Sequence, residues 1–146
     1  MNITIKKMEK EHLEQMRDIL QEEFDAFWNA NVLEKELENP FSTYIVALEN
    51  EKVVGYAGIW IPFDEGHITN IVTKKEKRGN KIATQMLEAL IEIAQKKKLQ
   101  SVTLEVNEKN SIAIQLYKKF HFQQEGKRKK YYNNTDDALI MTLNFD

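Results

Sequence analysis

Near residue 75 the chain changes its hydrophobic period, and that change constrains the fold more than any other feature. His67 to Thr73 reads as a strand. Ile82, Met86, Leu87, Leu90, Ile91 and Ala94 then recur as one stripe of an amphipathic helix. The helix closes on Lys96-Lys97-Lys98, cations that suit the negative end of a helix dipole. Between strand and helix lies a short, polar, basic turn that holds Arg78 and Gly79. A strand feeding through a tight turn into a long helix is an α/β element.

The rest of the chain alternates in the same way. Ile3 to Lys6 predicts a short strand, and Leu13, Met16, Ile19, Leu20, Phe24 and Phe27 predict a helix from Glu11 to about Asn29. Val32 to Leu37 predicts a short helix that stops before Pro40. Thr43 to Leu48 and Lys52 to Ile61 predict strands joined by a hairpin at Glu49-Asn50-Glu51, and Asp64-Glu65-Gly66 predicts a turn. Ser101 to Val106 predicts a strand. Asn110 to about Phe120 predicts a helix with Ile112, Leu116 and Phe120 on one face. Two strands close the chain, near Phe122 to Lys127 and Ala138 to Phe145. No repeat or low-complexity segment interrupts this order.

The chain has 146 residues, the length of one domain spanning 1–146. It has no cysteine, which excludes disulfides, thiolate catalysis and zinc–cysteine sites and suits a reducing, cytoplasmic setting. No apolar run reaches the roughly 18 residues of a membrane span. A net charge of −2 gives no footprint of a nucleic-acid binder. The pattern calls for no metal.

Two stretches carry chemistry. In Asn70 to Thr84, the start of a helix offers unpaired backbone N–H groups and a positive dipole end, which together can hold phosphate; a solvated basic loop is the alternative. In Leu104 to Phe122, Glu105 sits within an apolar strand and faces opposite to Leu104 and Val106, toward either water or a cleft. Tyr117 follows on the next helix, where a half-buried core tyrosine is the plain reading.

Together these stretches resemble the GNAT superfamily of N-acetyltransferases. The first matches the pyrophosphate motif R/Q-x-x-G-x-G/A from Arg78 to Ala83. The second matches N-x-x-A-x-x-L-Y-x-x-x-G-F through Asn110, Ala113, Leu116, Tyr117 and Phe122. Within the superfamily the chain is most similar to the ribosomal-protein-alanine N-acetyltransferases (RimI-type). That likeness rests on His67-Ile68-Thr69-Asn70-Ile71, on Leu104-Glu105-Val106 followed by Asn110, and on Lys130-Tyr131-Tyr132 followed by Asp136 to Met141. Lys81 and His121 depart from the motifs, each standing where glycine is usual.

The resemblance implies an α/β GNAT fold, a central mixed, twisted β-sheet flanked by helices, and acetyl-CoA as cosubstrate. It implies pantetheine contacts along a bulged central strand at Ile71, Val72 and Thr73. It places pyrophosphate on the backbone of Arg78, Gly79, Asn80, Lys81, Ile82, Ala83 and Thr84, with Asn110 also facing the cosubstrate. It casts Glu105 as the base and Tyr117 as the acid that protonates the leaving thiolate, and it names the N-terminal alanine of a ribosomal protein as acceptor. Trp28, Trp60, Tyr131 and Tyr132 are candidates to line the acceptor groove, with core packing as the alternative for the tryptophans. His67 is a rival base, although an exposed strand histidine is the preferred reading. Two other functions fit the same motifs: transfer to a polyamine or aminoglycoside, and a non-catalytic acetyl-CoA-binding module.

Overall fold

A computed structural model describes residues 2–26, 28–132 and 135–145; of residues 130–132 it describes the backbone only. The strands are β1 (Thr4–Lys7), β2 (Ser42–Glu49), β3 (Lys52–Trp60), β4 (Glu65–Thr73), β5 (Ser101–Asn107), β6 (Gln123–Tyr132) and β7 (Asp136–Asn144). The helices are α1 (Lys10–Met16), α2 (Leu20–Phe24), α3 (Ala30–Leu37), α4 (Ile82–Lys96) and α5 (Ser111–Lys119). The strands form one seven-stranded sheet in the order β1-β2-β3-β4-β5-β7-β6. β4 and β5 pair in parallel, with α4 in the crossover, and the other neighbours pair antiparallel. The expected mixed sheet flanked by helices is the fold observed.

Side-chain alternation splits the core between the two faces. On one face Ile45, Ala57, Ile59, Leu104 and Val106 pack with Ile82, Met86, Leu87, Leu90 and Ala94 of α4. Each fully buried Leu, Ile, Val or Met among them contributes about 1.5–3 kcal/mol. On the other, Tyr44, Val46, Leu48 and Tyr56 pack with Leu13, Met16, Leu20, Phe24 and Leu33 of α1–α3. The β2–β3 hairpin turns through Asn50 and Glu51, both at positive φ (51° and 68°), as a tight hairpin matched to strand twist requires.

Three expectations needed correction. The helix predicted from Glu11 to Asn29 is broken into α1 and α2, with Ile19 N–H bonded to Met16 O at 2.9 Å between them. Periodicity reports which residues face the sheet, not whether the backbone stays helical between them. Glu65 and Gly66 belong to β4, paired with Ser101 and Val102, so the turn lies before them. Ile112 is 83% exposed; the inner face of α5 runs through Ala113, Leu116, Tyr117 and Phe120, one position on. Among the described residues no helix is long and apolar enough to cross a membrane.

Candidate active site

The site begins where the sheet comes apart. β4 pairs with β5 from Glu65–Ser101 to Ile68–Leu104 and no further. Beyond that point β4 continues to Thr73 and β5 to Asn107, so Thr69 to Thr73 show β5 an unpaired backbone edge. A bulge accompanies the parting: Gly58 opposes Asn70 but Ile59 opposes Ile68, leaving Thr69 as the extra residue in β4. The Tyr44 hydroxyl holds the bulge, 2.9 Å from Thr69 Oγ1 and 2.8 Å from Asn70 Oδ1, to which it donates. Burial pushes the Tyr44 phenol well above its usual range, with Thr69 opposing the shift, so it remains a donor.

The predicted pantetheine residues Ile71, Val72 and Thr73 lie on this unpaired edge. Ile71 packs against the α4-side core and Val72 against the α1–α3 side, so what they offer the gap is backbone. An extended ligand with amide groups can add there as a strand.

The basic turn follows. Gly79 (φ 85°) and Lys81 (φ 61°) are left-handed, and Lys81 is the N-cap of α4. Gln85 N–H makes the first helical bond, to Lys81 O at 3.2 Å. No side chain caps the helix and its first turn holds no acid. The N–H groups of Ile82, Ala83 and Thr84 are thus open to an anion. The Ile82 side chain itself is core. Asn80 Nδ2 donates to Lys77 O at 2.9 Å and shapes the turn. Lys74 pairs with Glu23 (3.1 Å) and Lys77 with Glu49 (2.7 Å). Arg78 is exposed, and its guanidinium donates to Phe24 O at 3.5 Å.

Glu105 projects from the face opposite Leu104 and Val106. Its side chain is only 15% exposed, and Arg128 Nε lies 3.4 Å from Oε2. That approach lacks hydrogen-bond geometry: Oε2 is buried with no hydrogen-bond partner among the described residues. The register places Trp60, His67 and Thr103 in a row on the same face, with Thr103 and Thr142 hydroxyls 3.1 Å apart. His67 is half-buried rather than exposed. Burial lowers its proton affinity, Glu105 opposes the shift, and Arg128 adds to it.

Tyr117 lies on the other side of the sheet. It is half-buried against the α4-side core, its ring centroid 5.9 Å from that of Phe122. The gap between β4 and β5 therefore has a carboxylate on one face and a phenol-bearing helix on the other. Asn110 caps α5, its Oδ1 accepting from Ala113 N–H at 3.1 Å, so its motif position has a structural role. The β5–α5 turn is tied to β7 by Asn107–Asp136 (3.0 Å), Lys109–Asp136 (2.9 Å) and Asp137 N–H to Glu108 Oε2 (2.9 Å). These ties fix the turn end of the β6–β7 hairpin beside the β5–α5 turn.

The aromatic candidates divide. Trp60 is 40% exposed on the Glu105 face, whereas Trp28 packs in the α1–α3 layer. Tyr131 and Tyr132 end β6, and their side chains lie outside the described residues. Sequence reasoning missed Tyr44, Gly58 and Arg128; only Gly58, a glycine inside a strand, gave a signal of close approach. A cavity of about 930 Å³ opens beyond the end of β1, lined by Lys7, Lys10, Glu34, Tyr44 and Lys96 among others. It touches no motif residue.

Comparison with known proteins agrees with the fold. Residues 13–122 match the Acetyltransferase (GNAT) family. A protein of Bacillus subtilis (strain 168), provisionally named a ribosomal protein bS18-alanine N-acetyltransferase, is 37% identical over 139 residues, covering 94% of this chain and 92% of its own. The ribosomal protein bS18-alanine N-acetyltransferase of Escherichia coli (strain K12) is 32% identical over 98 residues, 65% of this chain and 66% of that one. The crystal structure of the Escherichia coli ribosomal-protein-S18-alanine N-acetyltransferase superposes with a TM-score of 0.89 at 25% identity, covering 98% of this chain and 94% of that one.

Proposed function

Because this chain belongs to the GNAT family and is an acetyl-CoA-dependent N-acetyltransferase of RimI type, we propose that its acceptor is the α-amine of a ribosomal protein that begins with alanine. The observation that carries the reading is the buried, undonated Oε2 of Glu105 where β4 and β5 part. A carboxylate there is placed to take a proton from an amine, directly or through water. An α-amine has a pKa of about 8 and a lysine side chain about 10.4, so a carboxylate base favours the former. The first residue must pass into the gap beside Glu105, which favours a side chain as small as alanine's. The names of the relatives from Bacillus subtilis and Escherichia coli support the same acceptor.

In this reading the unpaired backbone of Ile71 to Thr73 pairs with pantetheine. The N–H groups at the start of α4, with Arg78 and Lys81 beside them, hold the pyrophosphate. Glu105 takes a proton from the arriving ammonium, the freed amine nitrogen attacks the thioester carbonyl, and the second proton it sheds as the amide forms leaves to solvent. The C–S bond then breaks, and the Tyr117 hydroxyl protonates the departing sulfur from the opposite side of the gap. Trp60 borders the Glu105 face, and the family resemblance assigns Tyr131 and Tyr132 to the acceptor site. Glu22 and Asp25 lie along the α2 side and favour a basic peptide, whereas Glu23 is paired with Lys74.

The test is to incubate the protein with acetyl-CoA, a basic peptide that starts with alanine, and a panel of polyamines and aminoglycosides. Tandem mass spectrometry is expected to place one acetyl group on the peptide's α-nitrogen. Acetylation on internal lysines, or faster use of a polyamine, would overturn the acceptor.

A further inference from the structure

Glu105 has a counter-ion that no motif includes. Arg128 lies on β6, the edge strand, separated from β5 by β7. The register carries it to the Glu105 face: Glu105 opposes Ile140, and Arg128 opposes Ala138, two residues along β7 on the same side. The two partners are unequal. The Glu105 side chain is 15% exposed and sits on an inner strand, whereas that of Arg128 is 56% exposed. Their contact is charge against charge at 3.4 Å, and it leaves Oε2 without a hydrogen bond among the described residues.

We propose that Arg128 is a specificity-determining positioning residue, the resting counter-ion of Glu105 that gives way to the ammonium group of the acceptor. This rests on the reading of Glu105 as the group that receives the acceptor amine. An ammonium N–H aimed at Oε2 supplies the charge-assisted hydrogen bond that Arg128 does not make. Two cations cannot share one buried carboxylate without repelling each other at close range. Arg128 is already more than half in water, so it keeps much of its hydration on turning outward, and the arriving ammonium replaces the charge that Glu105 gives up. His67 adds no competing cation, because burial keeps its imidazole poorly protonated. The exchange selects for acceptors that arrive charged: a neutral amide or hydroxyl has no charge with which to displace the guanidinium.

The experiment measures steady-state kinetics of the full chain with an alanine-starting peptide at saturating acetyl-CoA, for Arg128→Gln, Arg128→Lys and Glu105→Gln. Removing the competitor should lower the peptide KM of Arg128→Gln about two- to fivefold, the effect of losing a cation that is itself half solvated and screened. The KM for acetyl-CoA should stay at its wild-type value, while loss of the counter-ion of a largely buried carboxylate lowers the melting temperature. Arg128→Lys, which keeps the charge, should return the peptide KM toward wild type. A merely structural Arg128 would instead raise the peptide KM and move the KM for acetyl-CoA with it. If Glu105→Gln turns over slowly while Arg128→Gln keeps or raises the peptide KM, the inference about Arg128 falls alone. If Glu105→Gln turns over like the wild type, the reading of Glu105 falls and this inference with it.

Discussion

The ring of Tyr44 occupies the space where a side chain on residue 58 would begin: a Cβ on Gly58 would stand 2.3 Å from Tyr44 Cε2 and Cζ. The glycine lets the ring settle against β3, and the settled ring lets its hydroxyl reach Thr69 and Asn70 across the bulge. Gly58→Ala should therefore destabilise the fold by about 1–3 kcal/mol, the cost of overpacking. It should also raise the KM for acetyl-CoA by shifting the unpaired edge of β4. Tyr44→Phe, which loses only the hydroxyl, should cost about 1–2 kcal/mol. In a Tyr44→Leu background Gly58→Ala should cost less than in the wild type. Urea denaturation of the four variants measures the coupling, and equal costs in both backgrounds would contradict it.

Lys81 and His121 replace motif glycines, and both are left-handed, at φ 61° and 74°. The glycine preference at these positions is a backbone preference. At His121 the reason is a helix stop: Phe122 N–H bonds to Tyr117 O at 3.0 Å, and His121 occupies the left-handed position between. A side chain there costs about 1–2 kcal/mol relative to right-handed backbone. Lys81→Gly and His121→Gly should each stabilise the protein by about 1 kcal/mol after the unfolded-state entropy of glycine is offset, raising the melting temperature by about 3 °C for a chain of this size. For Lys81→Gly, calorimetry with acetyl-CoA at low and high salt adds a second reading. If the ammonium contributes to pyrophosphate binding, the variant binds with a shallower salt dependence. Unchanged melting of both variants would show that the backbone relaxes without cost.

Most of the fold was legible because its signals are local. The α4 stripe, the β2–β3 hairpin and the strand before the basic turn each follow from residues close in sequence. The motif residues Glu105 and Tyr117 were legible for the same reason. What escaped was set by register between distant segments. Arg128 meets Glu105 only because β7 lies between β5 and β6, an order that no local pattern encodes. Tyr44 reads as an ordinary strand residue until the bulge brings Thr69 and Asn70 under its hydroxyl. His67 was expected to be exposed because it alternates like a surface residue, but the Glu105 face buries half of it.

His67 gives a test in acid. Burial, opposed by Glu105, lowers its proton affinity below the usual value of about 6.5. The unfolded chain therefore takes up this proton at a higher pH than the folded protein does. Between the two values the unfolded state holds more protons, so stability falls as pH falls from about 6.5, and the loss ends below the lowered folded value. His67→Gln removes the titration. Its melting temperature relative to wild type should rise steadily from pH 7.5 down to pH 5. Parallel melting curves across that range would show that His67 has the same proton affinity folded and unfolded.

The placement of Glu105 and Tyr117 on opposite faces of the gap makes their loss separable. Glu105→Gln keeps the shape but cannot accept a proton, so turnover should fall by about 10²- to 10⁴-fold, the usual contribution of a positioned acid or base. Part of the loss should return at higher pH, where the acceptor amine deprotonates in solution. Tyr117→Phe removes the hydroxyl and keeps the ring that packs 5.9 Å from Phe122. Its melting temperature should hold while turnover falls, and raising the pH should not restore it, because in the proposed mechanism the Tyr117 proton goes to the leaving sulfur and not to the amine. The kcat and kcat/KM profiles of both variants from pH 6 to 9.5 distinguish the roles. Losses below about tenfold in both, or recovery of Tyr117→Phe at high pH, would assign the proton transfers to other groups.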